Sequence, residues 1–259
     1  ANRVGQPTGQ QDISAWKNPG GRDYMEFSKI ASSIAPSPTL ALNEKAKQLE
    51  QQGADVVNLG IGEPGNHAPM AAVLGGLASL KDGSVKYGAT GGTTELKQAV
   101  IRYTAEYYQR DIAPSNVLVS NGAKQSLFNV LFALVNEGDE VLLFSPYWVS
   151  YPEMVRICRG RVKVVEPGEG FQPDMETVRE QVTPRTRVII LNNPNNPSGI
   201  VYRDEFVKEL VQFCEQSEIY LILDDIYHQL VFRSSRLPTG FVHTSRSVEE
   251  SFLIISNGV

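Results

Sequence analysis

The sequence predicts an α/β protein whose mostly parallel sheet is covered by helices on both faces. From residue 93 onward, helical patterns alternate with short apolar segments. Several of these segments, such as VLLF, VIIL and LIL, are continuously apolar, which is typical of strands buried on both sides. In sheets of this type ligands bind at the carboxyl ends of the strands. The residues directly after each strand are therefore the candidate functional residues.

Composition narrows the classes of function. The chain has 259 residues and a formal charge of 24 − 29 = −5, and it lacks a basic stripe that would fit nucleic acid or an anionic membrane surface. No apolar run approaches the roughly 20 residues that cross a bilayer. Cys158 and Cys214 lie far apart without CxxC spacing, which favours a reducing compartment such as the cytoplasm. The polar amino terminus leaves an organellar matrix or stroma as the alternative. The three scattered histidines predict no metal site.

The amino-terminal part is the least regular. Residues 1 to about 25 are rich in Gly, Gln, Pro and Asn, which predicts an irregular arm. PTLALNEKAKQLEQQG has apolar residues at helical spacing and stops at Gly53, so it predicts a helix. DVVNLGIGEPG predicts a short strand that runs into a turn.

The later elements follow in a regular order. The predicted helices are TTELKQAVIRYTAEYYQR, AKQSLFNVLFALVN, YPEMVRICR and RDEFVKELVQFCEQ. The predicted strands are NVLVS, DEVLLFS, RVKVVEP, RVIILNN, IYLILDD and FLIIS.

Two of the strand ends carry residues suited to a flat, phosphorylated ligand. After NVLVS, a turn at Gly122 leads into a helix opened by Ala123 and Lys124, whose free backbone N–H groups suit a phosphate. An ordinary glycine turn with a solvated lysine is the alternative. Trp148 follows EVLLFS, where its indole either caps the core or stacks on a flat ligand.

The stretch NNPNNPSG, residues 192–199, follows RVIIL and combines two prolines, four asparagines and a glycine. Proline fixes the backbone, and asparagine side chains bond the local backbone or project outward. We expect some of these amides to be satisfied internally and one to face a ligand.

The stretch DDIYHQL follows the strand IYLIL. Adjacent side chains at a strand end point to opposite sides, so only one of Asp224 and Asp225 faces the crevice. Solvated or helix-capping aspartates are the alternative. A carboxylate at a buried strand end is suited to a cationic ring nitrogen. The hydroxyl of Tyr227, one turn further, is able to reach the same ligand. His228 is interpreted as structural or solvent-facing rather than catalytic.

Six motifs together resemble the class I aminotransferases, the fold-type I enzymes that use pyridoxal 5'-phosphate. They are LGIGEP, KYGATGGTTELKQAV, SNGAKQSLFNV, SPYWVSYPEM, NNPNNPSG and DDIY, in the order and spacing of that family. The sequence is most similar to the bacterial-type aspartate and aromatic branch, over residues 36–259. The resemblance implies an amino-terminal arm at 1–35, a helix and linker toward a small domain and substrate loop at 36–68, and a cofactor-binding large domain at 69–259.

The resemblance also implies roles for the cofactor-binding residues. Gly122, Ala123 and Lys124 match the helix start whose amides bind the cofactor phosphate. Trp148 matches the residue that stacks on the pyridine ring.

Further implied roles concern the ring substituents and the substrate. Asn196 and Tyr227 match the pair that bonds the 3'-oxygen, and Asp224 matches the partner of the ring nitrogen. Gly62 matches the glycine near the substrate carboxylate, with Trp148 and Asn196 also on the substrate side. Tyr87 matches a tyrosine that reaches the cofactor of a neighbouring subunit, which implies a homodimer.

Two departures from the family pattern stand out. The family turn GEPDF is GEPGN here, with Gly65 and Asn66, which changes the substrate-side loop. The Schiff-base lysine is expected about two residues beyond Val259, after the strand FLIIS. We expect the sequence to be the front part of a longer aminotransferase; a truncated protein that binds the cofactor without catalysis is the alternative.

The expected function is transamination between an L-amino acid and a 2-oxo acid by a ping-pong mechanism, with Asp224 and Tyr227 as catalytic residues. A lyase or decarboxylase of the same fold is one alternative, and a non-catalytic binding module is another. A nucleotide-binding domain is the weakest alternative because no GxGxxG turn follows a strand. The amino donor and acceptor are open.

Overall fold

The computed structural model describes residues 27–60, 62, 67–81, 86–232 and 239–258. The described residues fall into two units, divided between Ile34 and Ala35. In the first unit, helix α1 (Lys29–Ser33) begins after Ser28, whose hydroxyl accepts a hydrogen bond from the Ala31 amide at 3.1 Å. The rest of the expected arm, residues 1–26, lies outside the described residues.

A five-stranded parallel sheet forms the centre of the second unit. Its spatial order is β2-β1-β3-β4-β5, and every neighbouring pair runs parallel. All five strands lie where the sequence predicts them. The strands are β1 (Glu140–Phe144), β2 (Arg161–Val165), β3 (Thr186–Asn192), β4 (Tyr220–Asp224) and β5 (Leu253–Ser256).

Seven described helices accompany the sheet. Five were expected from the sequence, whereas α3 and α7 were not. The helices are α2 (Pro38–Gln51), α3 (Met70–Lys81), α4 (Thr94–Tyr108), α5 (Ala123–Leu134), α6 (Ser150–Ile157), α7 (Met175–Gln181) and α8 (Asp204–Ser217). None of the described helices has both the length and the apolar character needed to cross a membrane.

Two apolar clusters fill the two faces of the sheet. On one face, α7 and α8 pack against Leu142, Leu191 and Leu221. On the other, α5 and α6 pack against alternate residues of the same strands, such as Val141 and Ile222. Because both faces are buried, these strands read as continuous apolar runs, and the predicted fold class is confirmed.

Helix α8 shows how the sequence directs this packing. Its buried apolar side chains recur at helical spacing along one stripe, and a fully buried Val, Leu or Phe contributes about 1.5–3 kcal/mol by leaving water. Asp204 and Glu205 occupy its first turn, where negative charge is favoured by the helix dipole. The buried residues are Phe206, Val207, Leu210, Val211, Cys214 and Glu215.

Two predicted strands are wrong within the described chain. Residues 116–120 have no strand partner there: the Val119 amide donates to the carbonyl of Gly91 in a loop at 3.1 Å, and Leu118 is exposed. Residues 55–60 form an extended loop in which Val57 and Leu59 are exposed. Both segments have apolar composition, but no neighbouring backbone of the described sheet pairs with them.

Candidate functional site

The carboxyl ends of β3 and β4 bring the main candidate residues to one edge of the sheet. Asn192 and Asp224 are the last residues of these strands and lie opposite each other in the register. The Asn192 side-chain amide donates to the Asp224 carbonyl at 2.8 Å. This bond ties the start of the NNPNNPSG loop to the strand that carries the candidate carboxylate.

Three of the four asparagines in that loop bond backbone groups of the loop or of the residues just after it. Asn192 accepts a hydrogen bond from the Asn196 amide at 2.6 Å, and Asn193 accepts one from the Tyr202 amide at 3.1 Å. Asn195 accepts two from Ser198, from its amide at 3.2 Å and from its hydroxyl at 2.7 Å. The sequence prediction that some amides are satisfied internally is therefore confirmed.

The fourth asparagine differs from the other three. Asn196 is partly exposed, and its side-chain amide donates to the hydroxyl of Tyr227 at 3.2 Å. The two residues are 31 positions apart in sequence. The structure thus brings together the amide and the phenol that the resemblance pairs.

Asp224 is buried and held on two sides. The Tyr151 hydroxyl donates to one carboxylate oxygen at 2.5 Å, and the Ile226 amide donates to the other at 3.4 Å. Burial raises the pKa of Asp224 above its ordinary value, and these two hydrogen bonds partly oppose that effect. Asp224 is therefore a carboxylate in a low-dielectric position that a nearby cation would stabilise strongly.

Asp225 is also buried, so the alternative of two solvated aspartates is wrong. Residues 226–229 form a turn and no helix begins there, so neither aspartate caps a helix. Burial raises its pKa to about 7, while a hydrogen bond from Tyr108 acts to lower it. Tyr108 ends α4 and Tyr151 lies in α6, so the two adjacent carboxylates are held by different elements. His228 contacts the Asp225 carbonyl through Nδ1 at 2.9 Å and the Tyr103 hydroxyl through Nε2, which agrees with a structural role.

The start of α5 forms another part of the site. Gly122 precedes the helix with φ +82°, and no side chain caps it. Ala123 and Lys124 form the first turn, and the Lys124 ammonium lies 4.8 Å from the centroid of the Trp148 ring. Trp148 in turn meets Tyr151 edge to face, with centroids 5.4 Å apart. The helix start, the indole and the Asp224 carboxylate are therefore linked through successive contacts.

Two predicted residues are not joined to this group. Gly62 is exposed, and no atom of the described residues lies within 4 Å of a side-chain carbon built on it. Tyr87 is fully exposed. The altered turn residues Gly65 and Asn66 lie outside the described residues.

Sequence reasoning missed Tyr151 and the anchoring role of Asn192. Tyr151 stands three residues after Trp148, in the first turn of α6. That spacing places it near the indole, but its partner Asp224 is 73 positions away. No metal-binding group of His, Cys, Asp and Glu side chains occurs among the described residues.

Comparison with known proteins gives consistent results. Residues 54–259 match the model of the family described as aminotransferase class I and II. The aspartate aminotransferase of Thermotoga maritima is 42% identical over 207 residues, which cover 79% of this chain and 55% of that protein. The aspartate/prephenate aminotransferase of Thermus thermophilus is 40% identical over 222 residues, covering 83% of this chain and 57% of that one.

Solved structures show the same likeness. The aspartate aminotransferase from Thermus thermophilus with maleate has a TM-score of 0.84 at 37% identity, covering 91% of this chain and 60% of that chain. The alanine aminotransferase from Pyrococcus furiosus has a TM-score of 0.82 at 28% identity, covering 90% of this chain and 59% of that chain. This chain thus spans 55% to 60% of the length of these proteins. The chain, matched from residue 54 to residue 259, belongs to the class I and II aminotransferase family, with the fold-type I architecture and a likeness to the bacterial aspartate type.

Proposed function

We propose that this chain forms the cofactor-binding part of an aminotransferase that moves an amino group between an L-amino acid and a 2-oxo acid. The observation that carries the proposal is the buried Asp224 carboxylate beside the Asn196–Tyr227 pair at one edge of the sheet. Relatives named aspartate or aspartate/prephenate aminotransferase favour aspartate as one amino donor.

The residues present fit pyridoxal 5'-phosphate, the cofactor of this family. The cofactor supplies an electron sink for negative charge at the substrate Cα. Asp224, already buried, would hold a proton on the ring nitrogen. The uncapped start of α5 offers backbone N–H groups to the phosphate, and Gly122 leaves open space there.

The remaining candidate residues would orient the cofactor ring and polarise its oxygen substituent. Asn196 and Tyr227 each carry a hydrogen-bond donor, and together they would bond an oxygen substituent of the ring. Trp148 offers an indole face for stacking. Tyr87 is exposed, which suits a residue that reaches a second subunit, and we include a homodimer in the proposal on the basis of the resemblance. Cys158 and Cys214 are free thiols, which suits a cytoplasmic location.

The test uses the longer polypeptide that contains this chain. We expect a visible absorbance band from bound cofactor and parallel lines in two-substrate kinetics with a 2-oxo acid acceptor. Release of ammonia or carbon dioxide without amino transfer would refute the proposal. Tyr227→Phe should lower kcat by about tenfold or more, since positioned groups of this kind contribute strongly. Tyr220→Phe removes a tyrosine hydroxyl at the amino end of β4, the opposite end of that strand from Asp224, and as the control it should leave kcat unchanged.

A further inference from the structure

Next to the carboxyl ends of β4 and β5, a polar cluster whose members are buried or partly buried joins three elements of the fold. Its members are Tyr108 at the end of α4, Asp225 and His228 after β4, and Asn257 after β5. The Asn257 amide nitrogen lies 3.2 Å from the Tyr108 hydroxyl and 3.2 Å from His228 Nδ1. The Tyr108 hydroxyl also interacts with the Asp225 carboxylate and acts to lower its pKa. The proposed function uses none of these four side chains.

The cluster lies where the backbones leaving β4 and β5 run side by side. Asp224 pairs with Ser256 in the sheet, and the Asp225 amide donates to the Ser256 carbonyl at 2.9 Å. At Gly258, a side-chain carbon would come within 2.5 Å of Ile226. The two chain segments therefore stay in close contact beyond the last pair of the sheet.

The protonation of His228 follows from its partners. A carbonyl oxygen can only accept, so the contact with the Asp225 carbonyl at 2.9 Å requires a proton on Nδ1. The Asn257 amide nitrogen is itself a donor, so it lies beside this protonated Nδ1 without bonding it, and its hydrogen bond in the cluster is the one to the Tyr108 hydroxyl. In the neutral ring, Nε2 then accepts from the Tyr103 hydroxyl. Burial lowers the pKa of His228, which agrees with a neutral ring. The cluster thus carries one carboxyl group and no compensating cation among the described residues.

The adjacency of Asp224 and Asp225 connects the cluster to the site. Consecutive side chains at a strand end point to opposite sides. When Tyr108 holds Asp225 on one side, the backbone turns Asp224 toward Tyr151 on the other. Asn257 holds the same tyrosine and lies directly after the strand residue that pairs with Asp224.

We infer that Asn257 and Tyr108 are positioning residues: they lock the end of β5 against the turn after β4 and thereby fix the direction of the Asp224 carboxylate. They act through Asp225 and the backbone and touch no ligand. The inference rests on the proposed function, because it concerns how Asp224 meets the cofactor.

The experiment compares Asn257→Ala and Tyr108→Phe in the full-length holoenzyme. Tyr107→Phe is the matched control, since it removes the hydroxyl of the neighbouring, half-exposed tyrosine in α4. We expect kcat to fall by about tenfold or more with little change in KM, because small displacements of a catalytic group are costly. The pH midpoint of the cofactor absorbance should shift, and the amides of residues 253–258 should exchange hydrogen faster. The control should change none of these.

The outcomes separate the two proposals. A wild-type protein without a cofactor band or amino transfer refutes the proposed function. If the wild-type protein shows the cofactor band and amino transfer, but the variants keep its kcat and absorbance midpoint, only the positioning role is refuted. Variants that are less stable but keep the pH midpoint of the cofactor absorbance also refute the positioning role, because that result assigns the cluster to folding alone. If Asn257→Ala does not fold, Tyr108→Phe keeps the aromatic ring and decides the question.

Discussion

Removing the hydroxyl of Tyr151 should destabilise the cofactor-free protein by an amount that grows with pH. In Tyr151→Phe the Asp224 carboxylate loses a donor at 2.5 Å in a buried position. A hydrogen bond to an ionised group contributes about 1.5–3 kcal/mol, and one between neutral groups about 0.5–1.5 kcal/mol. We therefore expect the smaller loss where Asp224 is protonated and the larger loss where it is ionised.

The sign of the pH dependence follows from the pKa of Asp224. Burial raises that pKa above 3.8, so the folded protein keeps a proton that the unfolded chain has already lost. The stability contribution of Asp224 therefore falls as pH rises from 3.8 toward the folded pKa and is level above it. The hydrogen bond from Tyr151 lowers the pKa of Asp224 in the folded protein, so Tyr151→Phe raises that pKa further. The stability contribution of Asp224 then goes on falling to a higher pH in the variant than in the wild type.

Urea unfolding between pH 4 and pH 8 measures this difference. Tyr202→Phe is the matched control, because Tyr202 is equally buried but its partner at 3.3 Å is the neutral amide of Asn195. The destabilisation by Tyr202→Phe should be constant over the range. The reasoning is wrong if the effect of Tyr151→Phe is equally flat.

The remaining predictions concern stability. Gly122→Ala should cost about 1–3 kcal/mol from the backbone conformation alone, φ +82° with ψ 164°, since the added carbon meets no atom of the described residues within 4 Å. Gly92→Ala would place that carbon 2.5 Å from Val119 and should cost more, and equal losses in urea unfolding would contradict this. Ser256→Ala should raise the free energy of unfolding by about 1 kcal/mol, because the buried hydroxyl has no hydrogen-bond partner among the described residues. A loss in thermal or urea unfolding would contradict it.

The sequence predicts the sheet better than its surroundings. Strands β1, β3 and β4 are continuously apolar because both of their faces are buried. The same criterion fails at residues 116–120, where apolar composition occurs without a strand partner in the described chain. Helix α3 was missed because its sequence, MAAVLGGLASLK, is apolar on all sides and contains two glycines, so it lacks a clear period.

Site prediction succeeds where residues lie at strand ends and fails where partners come from distant elements. Asp224, Asn196 and Tyr227 follow strands, so the parallel topology already places them at one edge. Tyr151 and Tyr108 approach the two aspartates from helices 73 and 117 positions away in sequence. Only three-dimensional packing decides those contacts, and sequence spacing does not encode them.

The adjacent carboxylates have a thermodynamic consequence for ligand binding. The negative charge of Asp224 is one cause of the raised pKa of Asp225, which stands at about 7. A cationic ring nitrogen placed against Asp224 cancels that charge, so the pKa of Asp225 falls and part of a proton leaves the protein near neutral pH. Cofactor uptake is then linked to proton release from a residue that the cofactor never touches. Calorimetry in buffers of different ionisation enthalpy would record this linkage as a buffer-dependent heat of binding.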